Sequence, residues 1–206
     1  MYDTICHEHL EYYSFAVIER IVAGAGLKVV WANINESNGG SLRCYCTHID
    51  NLSYKKPELV EGLAILRERE FDLALDTEKP YRKFQDRINL HRDELSDLLW
   101  KLKREGKSIH VYGASTKGNT ILQWCGIDNR LVDCAAERNP EKYGAKTLGT
   151  DIPIVSEEES RNLNPDYYLV LPWHFRAEIL AREQSTLARG TSLIFPLPTI
   201  EVVASG

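Results

Sequence analysis

Three rhythms of apolar and polar positions follow one another along the chain. In the first, "FAVIERIVAGAGL" places Val17, Ile18, Ile21, Val22 and Ala25 on one helical face. Ser14 stands before it as an N-cap, and Gly26 can take the left-handed conformation that ends such a helix. "KVVWANI" is β-rich, "NESNGG" has turn chemistry, and "SLRCYCTHI" alternates like a strand. Helix, strand, tight connection and strand are too little to make a domain. They read as the closing part of one.

The second rhythm, residues 57–105, is helical. Pro57 suits a first turn, and Leu59, Val60, Leu63 and Leu66 follow at helical spacing. Pro80 interrupts the pattern, which resumes through Phe84, Ile88, Leu95, Leu98, Leu99 and Leu102 with charges between them. The register is too broken for a coiled coil and predicts a connector helix packed on a neighbouring domain.

From residue 108 strands and helices alternate. Four strands are predicted at "SIHVYG", "LVDCAAE", "DYYLVLPW" and "TSLIFPLP", with "DIPIVS" as a short extended piece. Helices fall at "NTILQWCGI", "SEEESRNL" and "RAEILAREQSTLARG", the last ended by Gly190. Such repetition implies a parallel sheet with helices on its faces. The fold class is therefore α/β: a Rossmann-like parallel-sheet domain over 107–206, preceded by a helix-strand-strand remnant (1–50) and a helical connector (51–106).

Composition narrows the partners more than the fold. Hydrophobic residues are 43% and charged residues 27%, an ordinary globular balance. A net charge of −5 gives no global reason to bind nucleic acid or an anionic membrane. The five cysteines form no C-x-x-C pair, so a structural zinc site is weakly supported and reduced, mostly buried thiols are expected. No apolar run is long enough to span a bilayer and no signal peptide is evident, so a soluble cytoplasmic protein is expected.

Candidate chemistry gathers at predicted strand ends. In "VYGASTKGNT" a strand ends at Gly113 and a helix is expected to start near Asn119 or Thr120. Backbone amides at such a turn make an anion site, to which Ser115 and Thr116 add hydroxyls and Lys117 a charge. The pattern from Gly113 to Gly118 departs from both familiar phosphate fingerprints: the middle glycine of G-x-G-x-x-G is Ser115 here, and Lys117 precedes the glycine that it would follow in a Walker loop. Phosphate contact and a merely tight turn both remain open. After the second strand Glu137 stands where a Rossmann acid would meet a ribose, with Arg138 and Asn139 as donors to a ligand or as a solvated loop. After the third strand, His174 and Arg176 can reach a ligand or cap the next helix.

The opening "TICHEHLEYYS" sets Glu8 between His7 and His9. Glu8 and His9 can form a base and its orienter, because histidine titrates near neutrality. If the segment is extended, His7 and His9 share one face. Metal ligation would need Cys6 or His48 as well, and structural polar groups are the third alternative.

Seven ordered blocks, "YDTICHEHLEYYS", "NGGSLR", "VYGASTKGNT", "AAERNPEKYG", "IPIVSEEE", "DYYLVLPWHFR" and "FPLPTIEVV", together resemble the C-methyltransferases that act on nucleotide-linked deoxysugars. The resemblance runs from residue 2 to 203. It implies a three-part enzyme: a small zinc-binding domain, an S-adenosylmethionine-binding domain and a C-terminal Rossmann-like domain, with the nucleotide-sugar between the latter two. Residues 1–50 then correspond to the last part of the methyl-donor domain, and 107–206 to the nucleotide-sugar-binding domain. By this resemblance His9 is the base that forms an enolate from a keto sugar, and Glu8 is the acid beside it. Cys6 stands where many members carry a tyrosine. Gly113 to Asn119 and Glu137 to Asn139 match the side facing the nucleotide-sugar, a thymidine diphosphate sugar in expectation.

Most of the S-adenosylmethionine site is then expected to lie outside this chain, leaving it inactive alone. The face left exposed by the missing half predicts self-association or association with a separately encoded methyltransferase half. The alternative function is a non-catalytic nucleotide or nucleotide-sugar-binding module. An NAD-dependent oxidoreductase is disfavoured by the missing G-x-G-x-x-G.

Overall fold

The structure, a computed structural model, describes residues 1–35, 40–54 and 57–204. The predicted "NESNGG" turn falls largely on residues 36–39, outside the described residues. By contacts the chain divides into two compact units: Leu10–Asp86, and Met1–His9 together with Arg87–Gly206. These boundaries differ from those expected at 50 and 106, and the opening nine residues group with the Rossmann-like part.

In the unit Leu10–Asp86, helix α1 (Phe15–Gly24) and helix α2 (Pro57–Leu73) pack on a hairpin of strands β1 (Leu27–Asn35) and β2 (Ser41–His48). Ser14 caps α1 by accepting the Val17 amide at 3.3 Å. Glu70 of α2 adds a second cap, accepting the amides of Phe15 and, at 2.9 Å, Ala16. The buried cluster is Phe15, Val29, Ala32 and Leu63. Phe15, the bulkiest apolar side chain of α1, anchors it, and the predicted face shifts so that Ile21 is half exposed.

The boundary between the units falls within helix α3 (Lys79–Arg104), which has Pro80 in its first turn. Leu95, Leu99 and Leu102 of α3 are buried in the larger unit. That unit holds a six-stranded sheet. Strands β3 (Ile109–Tyr112), β4 (Cys134–Glu137), β5 (Ile154–Ser156), β6 (Tyr167–Val170) and β7 (Ser192–Phe195) run parallel. Strand β8 (Glu201–Val203) pairs antiparallel with β7. The spatial order is β5-β4-β3-β6-β7-β8, the doubly wound order whose direction reverses between β3 and β6. All four residues of β3 and of β7 are buried, as a parallel sheet covered on both faces requires.

The Rossmann-like α/β reading holds, with corrections in detail. "DIPIVS" is not merely extended, since its last residues join the sheet as β5, and β8 adds a sixth strand, three residues long and too short to signal itself. Helix α4 (Thr116–Trp124) starts three residues earlier than expected, because Ser115 is its N-cap and accepts the Gly118 amide at 3.1 Å. Helix α5 (Glu157–Asn162) is capped by Ser156 as its acidic first turn suggested. The expected helix 176–190 is two, α6 (Arg176–Arg182) and α7 (Gln184–Ala188). The break at Glu183 lets its buried carboxylate accept the Tyr112 hydroxyl at 2.9 Å, Arg161 at 2.7 Å and the Thr186 hydroxyl at 2.6 Å. Among the described residues no helix is long and apolar enough to cross a membrane.

Candidate functional site

Where the strand order reverses, the loops leaving β3 and β6 run to opposite faces and open a crevice at the carboxyl end of the sheet. A cavity of about 550 Å³ occupies it. The β3–α4 loop (residues 113–115), Glu137 and Arg138 after β4, and Pro172 and Phe175 after β6 line it, with Arg182 of α6 on one wall. This volume lies in the range of small-molecule binding sites.

The two glycines of the β3–α4 connection serve packing. Gly113 has φ +86°, and a Cβ there would lie 3.0 Å from Cδ of Pro172. At Gly118 a Cβ would lie 2.5 Å from Cδ1 of Leu171, so α4 can approach the end of β6 only without a side chain. Ser115 spends its hydroxyl on capping. Lys117, in the first turn of α4, has no ion-pair partner among the described residues.

Glu137 is the most heavily hydrogen-bonded candidate. One carboxylate oxygen accepts the Arg138 amide at 2.8 Å and the Asn139 amide at 3.1 Å. The other accepts the Ala114 amide at 3.1 Å and Nζ of Lys142 at 3.2 Å. Lys142 also donates to the Ala114 carbonyl at 2.8 Å. Partial burial pushes the Glu137 carboxyl up, but the two amides and the Lys142 ammonium outweigh it and hold it below the usual glutamate value. With four donors already on it, the carboxylate ties the β4 loop to the β3–α4 loop. Asn139 caps the turn Pro140–Lys142 by accepting the Glu141 amide at 3.1 Å. Arg138 lines the crevice, and its guanidinium has no ion-pair partner among the described residues.

The opening cluster is a turn, not an extended strand. The His9 amide bonds to the Cys6 carbonyl at 2.9 Å, which cancels the alternation of His7 and His9 across a strand. Ahead of it a 3-10 turn (Tyr2–Thr4) packs against α4. Glu8 and His9 are exposed, and Thr116 approaches Glu8 at 3.5 Å. The HEH turn and the GASTKGN loop therefore share one unit and meet at the first turn of α4.

Residues 2 and 3 hold this segment, and no periodicity pointed to them. Tyr2 is buried, with its hydroxyl 3.1 Å from Nδ1 of His91 and 3.4 Å from Sγ of Cys125. Nε2 of His91 lies against the Pro196 carbonyl. A carbonyl can only accept, so Nε2 carries the proton in the neutral ring and Tyr2 donates to Nδ1. Asp3 is 2% exposed and accepts the indole N–H of Trp173 at 2.9 Å.

His174 and Arg176 part company. In the 3-10 turn after β6 the His174 ring meets Trp173 edge-on, with ring centres 5.6 Å apart, and lies tilted against Phe175 at 4.4 Å. Burial, and then the Lys117 charge, lower its pKa from the ordinary histidine value, partly opposed by Asp3. Arg176 turns to β8 and makes a two-pronged pair with Glu201 at 2.9 and 2.6 Å. Among the described residues no three His, Cys, Asp or Glu side chains converge as a metal site requires.

A doubly wound α/β unit with a crevice at its switch point, and a histidine-carboxylate turn beside the same helix, belongs to the class of ligand-binding domains that enzymes use. The comparisons make it specific. The family described as the C-methyltransferase C-terminal domain matches residues 36–198. The C-methyltransferase NovU of Streptomyces niveus is 32% identical over 204 residues, 99% of this chain and 48% of that protein. The chain thus spans about half the length of the curated relative it matches, and it belongs to the C-methyltransferase C-terminal domain family.

Proposed function

We propose that this chain is the nucleotide-sugar-binding part of an S-adenosylmethionine-dependent C-methyltransferase that acts on a nucleotide-linked keto-deoxysugar. In this reading the crevice takes the nucleotide, and His9 removes the proton beside the ketone. The observation that carries it is the meeting of the Glu8–His9 turn with Thr116, on the helix whose preceding loop lines the crevice. Lys117 and Arg138 are the charges available to a diphosphate, since neither is spent on an ion pair among the described residues.

The chemistry follows from these groups. A carbon next to a ketone loses a proton because the enolate moves the charge onto oxygen. His9 takes that proton as general base, with Glu8, its neighbour in the chain, as the acid of the proposed pair. The family implies S-adenosylmethionine, which would supply an electrophilic methyl to that carbon. The crevice itself does not fit this donor: Glu137, the acid placed to bind a ribose diol, already holds four donors. The residues of this chain therefore serve substrate binding and the proton step.

That step can be tested without the methyl donor. In deuterated water the chain should exchange the hydrogen beside the ketone of a thymidine diphosphate keto-deoxysugar, read by proton NMR. His9→Ala should slow exchange by roughly 10²- to 10⁴-fold and leave calorimetric binding of thymidine diphosphate unchanged. Exchange that persists in His9→Ala overturns the base. Binding without any exchange in the wild type favours a non-catalytic nucleotide-sugar module.

A further inference from the structure

We infer that Asp3 is a positioning residue for the Glu8–His9 turn, acting through the indole of Trp173. The catalytic part of the inference rests on the proposed role of His9; the anchoring part does not. Asp3 is almost wholly buried, yet among the described residues only one of its carboxylate oxygens has a partner, the Trp173 N–H at 2.9 Å. The other, Oδ1, is buried with no donor among the described residues. A buried carboxylate with a single neutral donor is costly to keep, so a packing role alone would be met better by an apolar side chain.

The link joins two functional pieces. Trp173 opens the 3-10 turn Trp173–Phe175, and its neighbours Pro172 and Phe175 line the crevice. On the other side Asp3 begins a run of local turns. The Ile5 amide bonds to the Tyr2 carbonyl, the Cys6 amide to that of Thr4, and the His9 amide to that of Cys6, all at 2.9 Å. These turns fix the spacing from Asp3 to His9, so a shift of the crevice wall at Trp173 is passed to the base. Misplacing a reacting group by about 1 Å costs on the order of 100-fold in rate.

The unpartnered oxygen makes the test sharp. Asp3→Asn retains an acceptor for the indole and loses no hydrogen bond that Oδ1 makes, so it should keep the turns in place and stay clearly above Asp3→Ala in amide protection. Asp3→Ala and Trp173→Phe should each speed amide hydrogen exchange at Ile5, Cys6 and His9 by about 10- to 100-fold, the worth of a hydrogen bond to a charged group. Asp3→Ala should also displace the Trp173 indole resonance, which is resolvable because the chain has only four tryptophans. Proton exchange into the keto-sugar should fall on the order of 100-fold in kcat with KM unchanged, and the double variant should be no worse than either single one. Should Asp3→Ala fail to fold, Trp173→Phe and Asp3→Asn carry the test. Unchanged amide protection in Trp173→Phe, or an Asp3→Asn variant as loose as Asp3→Ala, overturns the inference. A wild type that exchanges no sugar hydrogen overturns the role of His9 instead, and the amide and indole readouts still decide the anchoring.

Discussion

Two glutamates approach the amino end of α4 and are used in opposite ways. Glu137 accepts four hydrogen bonds from three backbone amides and Lys142, and its side chain is only 13% exposed. Glu8 is exposed and meets one hydroxyl at 3.5 Å. A carboxylate that already holds every donor it can take builds the loops around a site. One with open lone pairs is free to take part in a reaction. The same contrast separates the cations: Lys142 and Arg176 are bound to Glu137 and Glu201, whereas Lys117 and Arg138 are not paired among the described residues.

The largest break in this comparison should come from Glu137→Ala. It strands the Ala114, Arg138 and Asn139 amides and should cost about 2–4 kcal/mol of unfolding free energy in urea titrations. The pH dependence has a definite sign. The folded carboxyl titrates below its unfolded value, so its stabilisation is complete above about pH 4.3 and is lost as pH falls through the folded pKa. The gap between wild type and Glu137→Ala should close over that acid range, and a gap that stays constant would refute the electrostatic part.

Gly118→Ala comes next, at about 1–3 kcal/mol, because its methyl meets Leu171 at 2.5 Å. Thymidine diphosphate affinity should drop with it as α4 backs away from β6; unchanged stability would mean that Leu171 yields freely. The smallest structural effect is expected for Glu8→Ala, whose melting curve should overlay the wild type. Its keto-sugar hydrogen exchange should nevertheless slow by about 10-fold or more. A Glu8→Ala variant that melts early would place Glu8 with Glu137, among the groups that hold the fold.

The parallel sheet was legible because buried strands such as "SIHVYG" and "SLIF" are continuous apolar runs bounded by glycine and polar turns. Helix starts were legible where a cap precedes an apolar stripe, as at Ser14, and misread where the first turn is polar, as in "TKGN" after Ser115. The break at Glu183 was invisible, since the Tyr112 hydroxyl and Arg161, which help make a buried carboxylate tolerable there, reach it from distant strand and helix positions.

By itself the sequence determined the α/β rhythm, the strand-end positions of the polar blocks and the presence of a histidine-carboxylate pair. These follow from local periodicity and residue chemistry. The tertiary structure alone decided how each polar group is spent: Glu137 on loops, Arg176 on β8, Ser115 on a cap, Asp3 on an indole 170 residues away. Hydrogen-bond partners are chosen by proximity in space, and a one-dimensional pattern carries no distances between segments far apart in the chain.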